Sequence, residues 1–147
     1  MAETPKPWQI LQTVATRLGG ITQANGYRTD IGATVLLEGP QDDEADAERI
    51  VLYSTGIRRI ENDRPDRKGR VFEFVIEASV PCMVAAGVVP AHARMHDIVA
   101  DVEQALDTYL QQPTALPARV EDVVFLGRES GLSVVAAQIA CSVEYRR

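Results

Sequence analysis

Cysteine is scarce: Cys82 and Cys141 are the only two in 147 residues. Two thiols cannot build the disulfide framework of a small secreted domain. Both lie in apolar, strand-like runs, so buried free thiols are expected. Histidine is as rare, with His92 and His96 alone. They stand four apart on a helical stretch, but the zinc-protease pattern needs Glu directly after the first His, and Ala93 is there. With no third His and no ligand-like Cys spacing, surface histidines are expected, and neither a metal nor a cofactor. Long apolar runs are missing too. Val80 to Pro90 and Leu132 to Ala140 are the longest, short of the roughly 18 residues that span a bilayer. The opening Met-Ala-Glu-Thr-Pro-Lys-Pro lacks the apolar core of a signal peptide. The chain is therefore expected to be made and kept in the cytoplasm, or assembled there into something larger. An excess of positive charge is also lacking. A net charge of -6 argues against bulk nucleic-acid binding, though not against a local basic patch.

Catalytic signatures are absent in the same way. Gly-x-Ser-x-Gly does not occur; Arg128-Glu129-Ser130-Gly131-Leu132 has Ser before Gly but no strand-to-helix elbow around it. No Gly-Lys-Ser/Thr is present for a Walker loop. Gly19-Gly20 follows a helical pattern rather than preceding one, so it presents no helix N–H groups to a phosphate. The acid pairs Glu121-Asp122 and Asp42-Asp43 have no apolar shell to raise a pKa. No enzyme and no ligand pocket is expected.

What is there reads as an ordinary globular chain, 46% hydrophobic and 24% charged, which excludes wholesale disorder. Its length suits one domain over 1–147, with a flexible start over 1–5 and mobile loops near 39–48 and 61–70. A first helix begins at Pro5 or Pro7, and Trp8, Leu11, Val14, Ala15 and Leu18 make its apolar stripe. Gly19-Gly20 ends it. Trp8 reads as a core anchor; an exposed indole would instead mark a docking surface. Asn25-Gly26 is a tight-turn pair. Strands follow over Ala33 to Glu38, and over Ile50 to Ser54 with a continuation past a Gly56 bulge to Ile60. A clean alternation runs from Val71 to Val80, with Phe72, Phe74, Ile76, Ala78 and Val80 on the buried face. A second helix runs from Pro90 or Ala91 to Gln112, with Asp97, Asp101, Glu103 and Asp107 off its apolar stripe. Val120 to Leu126 and Leu132 to Tyr145 close the chain as strands. The order α-β-β-β-α-β-β predicts an α+β fold: one mixed or antiparallel sheet of about five strands with both helices on one face.

Charge is unevenly laid out. Asp42, Asp43, Glu44, Asp46 and Glu48 crowd one loop, where they read as solvated. Arg58, Arg59, Arg64, Arg67, Lys68 and Arg70 surround turn-forming pairs in the next. Two solvated loops explain this. So does a complementary surface, acids on one subunit facing arginines on the next, since unlike patches in head-to-tail contact close into rings when the rotation permits. The arginines equally suit the rim of a partner. Nucleic acid is the weaker fit, because Glu61, Asp63 and Asp66 interrupt the basic run.

The stretch Ala24-Asn25-Gly26-Tyr27-Arg28-Thr29-Asp30-Ile31-Gly32 joins the first helix and its Gly-Gly stop to the first strand. This arrangement, with its Asn-Gly-Tyr-x-Thr-Asp-x-Gly linker, resembles the start of tailed-phage tail terminator proteins. That family includes the minor tail protein U and the tail-completion proteins of long-tailed phages. The resemblance extends over the length and element order, with the linker as its quotable motif. It implies a structural virion protein that forms a hexameric ring on the head-proximal end of a tail tube. Such a ring stops tube polymerisation and presents a surface to the neck of the head. It implies as partners other copies of the chain, the tail tube protein and a neck protein, with DNA only passing through the channel. It places the protein in the virion tail after assembly in the host bacterial cytoplasm. Arg58, Arg59, Arg64, Arg67, Lys68 and Arg70 are then the expected contacts to a subunit or the tube, with Asp42, Asp43, Glu44 and Asp46 as partners across the ring. A neck or head-closure connector and a ferredoxin-like ligand-binding regulatory domain are the alternatives. Replacing Arg64 and Arg67 by Glu is expected to weaken ring or tube binding while leaving the monomer folded. Wild-type assembly by that variant in native mass spectrometry would remove the basic loop from the interface.

Overall fold

In a computed structural model of the chain, residues 2–37, 48–60, 69–81, 90–107, 110–111, 116–126 and 134–146 are described. The first helix, α1, spans Lys6–Leu18, with Pro5 at its cap and Pro7 in its first turn, where a missing N–H removes no intrahelical bond. Its buried stripe is Ile10, Leu11, Val14 and Leu18. Trp8 is 38% exposed and not the expected core anchor. The stripe is centred on Ile10 and Val14, which leaves the first-turn indole at its margin. Arg17, in the last turn, suits the negative end of the helix dipole and donates from Nε to the Ala105 carbonyl at 2.9 Å.

After α1 the chain folds into a compact linker. Gly19 caps the helix with right-handed dihedrals, so the left-handed residue here is Gly26, at φ 92°. A 3₁₀ turn over Gln23–Asn25 is held at both ends. The Thr22 hydroxyl and the Asp30 carboxylate accept from the N–H groups of Asn25 and Gln23, and Asn25 Nδ2 donates to the Gly20 carbonyl at 2.8 Å. A second 3₁₀ turn covers Ile31–Ala33. The Gly32 N–H donates to the Ile21 carbonyl at 3.0 Å. A Cβ at Gly32 would lie 2.7 Å from the carbonyl oxygens of Leu18 and Gly19, so this approach needs glycine.

The strands are β1 (Val35–Leu37), β2 (Arg49–Arg59), β3 (Gly69–Pro81), β4 (Leu110–Gln111), β5 (Leu116–Pro117), β6 (Arg119–Leu126) and β7 (Val134–Arg146); the second helix, α2, is Ala91–Asp107. The main sheet has the order β1-β2-β3-β7-β6. It is mixed: β1 runs parallel to β2, and every other neighbour is antiparallel. β4 and β5 make a separate ladder. The fold is α+β in the expected order, with these small elements added. Among the described residues three boundaries differ by two residues or more. α2 stops at Asp107 rather than Gln112, because Leu110–Gln111 extend and pair with Leu116–Pro117, and Pro113 disfavours helix just before it. β1 begins at Val35 rather than Ala33, which closes a 3₁₀ turn instead. β3 begins at Gly69, so Gly69 and Arg70 belong to a strand and not to a loop. The rest of the expected mobile loops, 39–47 and 61–68, lies outside the described residues.

Both helices pack on one face of the sheet, α1 over β1 and β2, α2 over β3, β7 and β6. Phe72, Phe74, Ile76, Ala78 and Val80 of β3 are all buried there, as their alternation requires. Val135, Ala137, Ile139, Cys141, Val143 and Tyr145 of β7 bury the matching face. Full burial of a large apolar side chain such as Phe74 contributes about 1.5–3 kcal/mol, so these two central strands anchor the fold.

One acid sits inside this core. Asp101 of α2 is fully buried, although it reads from the sequence as an outward-facing charge. Its Oδ1 accepts from the Arg28 N–H at 3.0 Å, and its Oδ2 accepts from the Thr29 N–H at 2.8 Å and the Thr29 hydroxyl at 2.7 Å. The Arg28 guanidinium lies 3.8 Å away on the solvent side. Asp101→Asn aims an amide donor at groups that themselves donate. It is expected to cost about 2–3 kcal/mol, the scale of charge-assisted bonds lost in a buried site. The denaturation midpoint measures this, and a midpoint equal to wild type would show that the contact contributes nothing.

Candidate functional site

The expected contact residues divide sharply. Asp42, Asp43, Glu44, Asp46, Arg64, Arg67 and Lys68 lie outside the described residues. Arg58 and Arg59 end β2, and Arg70 opens β3, in register with them: Arg58 pairs with Val71, and Arg59 with Arg70. The structure thus gathers three of the six basic residues at one corner of the sheet. Arg58 Nε donates to Glu73 Oε1 at 2.6 Å across the strands, yet its side chain stays 57% exposed. Arg70 Nη1 donates to the Gly69 carbonyl at 2.8 Å.

Glu48, the last acid of the acidic run, is not simply solvated. It is half-buried and takes both Nε and Nη2 of Arg94, at 2.6 and 3.0 Å. The Glu48 hydrogen bond, working against burial, raises the Arg94 pKa. A forked Arg–carboxylate pair of this kind ties the start of β2 to the first turns of α2. No short-range signal announces it, since the partners are 46 residues apart.

His92 and His96 are both exposed, and the His96 ring lies 4.6 Å from that of Phe125 on β6, centroid to centroid. Among the described residues no group of three or more His, Cys, Asp or Glu could hold a metal, and no helix is long and apolar enough to cross a membrane. A cleft of about 730 Å³ opens between the end of α2 and β6, lined by Glu103, Gln104, Leu106, Asp107, Ala118, Arg119, Val120 and Glu121. A domain without a pocket was the expectation, and this cleft corrects it. Its walls are carboxylates, one guanidinium, one amide and aliphatic carbon.

The sheet face away from the helices is half-buried along β3 and buried at Val71 and Ser142. Across its middle row stand Leu36, Val51, Glu77, Gln138 and Val124, in register through four strand pairs. Gln138 Nε2 donates to Glu77 Oε1 at 3.1 Å. Tyr53, on the next row, has its pKa raised by partial burial and by the Glu77 charge. Besides Trp8 of α1, the exposed large apolar side chains among the described residues lie toward the two sides of the sheet: Val124, Phe125 and Leu126 on the edge strand β6, and Ile57, 56% exposed, on β2 beyond the cover of β1. The sequence of β6 carries no period of two, and nothing in it signals that three consecutive apolar residues stay in solvent.

Cys141 is buried and unpaired, as expected, while Cys82 lies outside the described residues. Burial, with the Glu121 charge behind it, pushes the Cys141 thiol from 9.0 up to about 12. The folded protein therefore keeps a proton that the unfolded chain gives up. The stability linked to this thiol is complete below pH 9.0 and is lost as pH rises from there to about 12. A decline of about 1.4 kcal/mol per pH unit is expected over that window, and Cys141→Ala should flatten it in denaturant titrations. An equal slope in the variant would assign the decline to other groups.

No protein-family model matches the chain, and no curated protein matches it.

Proposed function

We propose that the chain is a structural virion component that caps the head-proximal end of a phage tail tube as a ring of its own copies. In that position it stops tube polymerisation and offers a surface to the neck of the head. The observation that carries this is the unlikeness of the two lateral ends of the sheet. One end presents Val124, Phe125 and Leu126 beside Glu121 and Asp122; the other presents Ile57 beside Arg58 and Arg59. Unlike surfaces on opposite sides of one subunit suit head-to-tail association, which closes into a ring when the rotation per subunit divides the circle.

The likeness of the Asn25–Gly32 linker to tail terminators supports the phage-tail setting. The acidic surplus of the whole chain is compatible with a channel through which DNA passes without being held. Tail tube and neck proteins are the implied partners on the two flat sides of the ring. Adding the purified protein to polymerising tail tube protein tests this by negative-stain electron microscopy. Short tubes with a ring at one end are expected. Tubes that lengthen unimpeded, with bare ends, would overturn the capping role.

A further inference from the structure

The sheet ends on each side in backbone that no described element pairs. On one side is β6, whose described ladder is with β7 alone. On the other, β1 covers Ile50 to Leu52 of β2, and beyond Leu52 the outer edge of β2 meets no described strand. Open edges are templates for another strand, and proteins that avoid such pairing blunt them with Lys, Pro or bulges. From Asp122 to Leu126 there is no Lys, Pro or Gly, and the bulge of β6 lies behind this run, between Val120 and Asp122.

We infer that β6 of one copy adds to the outer edge of β2 in the next copy, continuing the sheet from subunit to subunit; this rests on the proposed ring and specifies its contact. Direction agrees. β2, β3, β7 and β6 alternate in direction, so β6 runs opposite to β2. Two copies set side by side in the same orientation therefore bring these edges together antiparallel, the form that short ladders favour.

Register agrees as well. With Arg58 opposite Asp122, Ile57 falls opposite Val123 and Gly56 opposite Val124. Arg58 and Asp122 both lie on the face away from the helices, since they pair within the subunit with Val71 and Ala140. Ile57 and Val123 both lie on the helix face, paired with Phe72 and Ile139. Gly56 and Val124 return to the face away from the helices, paired with Glu73 and Gln138. A slip of one residue sets Ile57 against Asp122 and turns every match to the wrong face. Arg58 holds Glu73 through Nε at 2.6 Å, and a guanidinium has further N–H donors for a second carboxylate on its other side.

Charge reversal and its rescue test the contact. In sedimentation velocity over a rising concentration series, wild type is expected to associate. Arg58→Glu and Asp122→Arg should each move that association at least about tenfold upward in concentration. The chain carrying both reversals should return to within about threefold of wild type, with unchanged melting temperatures showing that all variants fold. Oxidation of Arg58→Cys chains mixed with Asp122→Cys chains should give a disulfide-linked pair that neither variant, nor wild type with its own cysteines, gives alone. A monomer at every concentration, single reversals without effect, or no rescue would overturn the contact. Tube capping that survives both single reversals would likewise overturn it while leaving a ring held by another surface. Failure of the wild-type protein to cap tubes would overturn the capping role, while the sedimentation and crosslinking results still decide the contact.

Discussion

A buried carboxylate sets the terms for the rest of this fold. Asp101 has no solvent to hydrate it, and an ionised group left unpaired in such a place costs far more than any single packing contact returns. The structure meets that cost with three donors from Arg28 and Thr29. Those donors exist in one place only if the linker between α1 and β1 takes one path. That path in turn puts Gly32 against the end of α1 so closely that no side chain fits. Two helices and the first strand are thereby registered by a local polar constraint, and the apolar core fills in around it.

Two bulges then decide which surfaces face outward. In β2 the irregularity between Ser54 and Gly56 resets the alternation, so that Ile57 lies on the helix face. It lies beyond the cover of the helices, however, and stays exposed. In β6 the irregularity between Val120 and Asp122 does the converse: Val120 and Val123, three apart, both turn to the helix face, and Val124 and Leu126 turn away from it. Without the extra residue, Val120, Val124 and Leu126 would share one face. A bulge bends and twists its strand as well as shifting register, so each edge keeps only a short straight run.

The parts of this architecture governed by repetition were legible in the sequence. β3 and β7 alternate over most of their length, and most of their buried set follows from the period of two, with Val71 and Ser142 buried out of phase. The parts governed by a single long-range partner were not. Asp101 sits three residues after Ile98 and four before Ala105, squarely on the buried spacing, but a carboxylate there reads as outward until its donors are known. Glu48 reads as one more solvated acid until Arg94 is placed beside it. Trp8 has the composition of an anchor and the position of a margin, which spacing alone does not separate. The end of α2 was overrun for a related reason, because Leu110 continues a helical spacing that the chain does not follow. At the corner of Arg58, Arg59 and Arg70, composition located the basic cluster, but the β2–β3 register brought its members together.

Short edges also bear on how copies of such a chain meet. A long flat edge pairs without limit and leads toward fibres, whereas an edge interrupted by a bulge offers a few residues and then turns aside. β2 offers Gly56 to Arg59 beyond its bulge, and β6 offers Asp122 to Leu126 beyond its own. Contacts of this length are weak singly. Neighbouring strands also rotate by about 20–25° relative to one another, so successive subunits joined edge to edge cannot lie in one plane. A head-to-tail contact with a fixed rotation closes on itself or winds into a helix. In a closed ring every subunit makes the proposed β6–β2 contact on both of its sides, which adds cooperativity that no single short ladder supplies. A subunit whose proposed contacts lie on opposite sides of its sheet leaves one of them unused in an isolated pair, and that is the physical argument for the proposed ring.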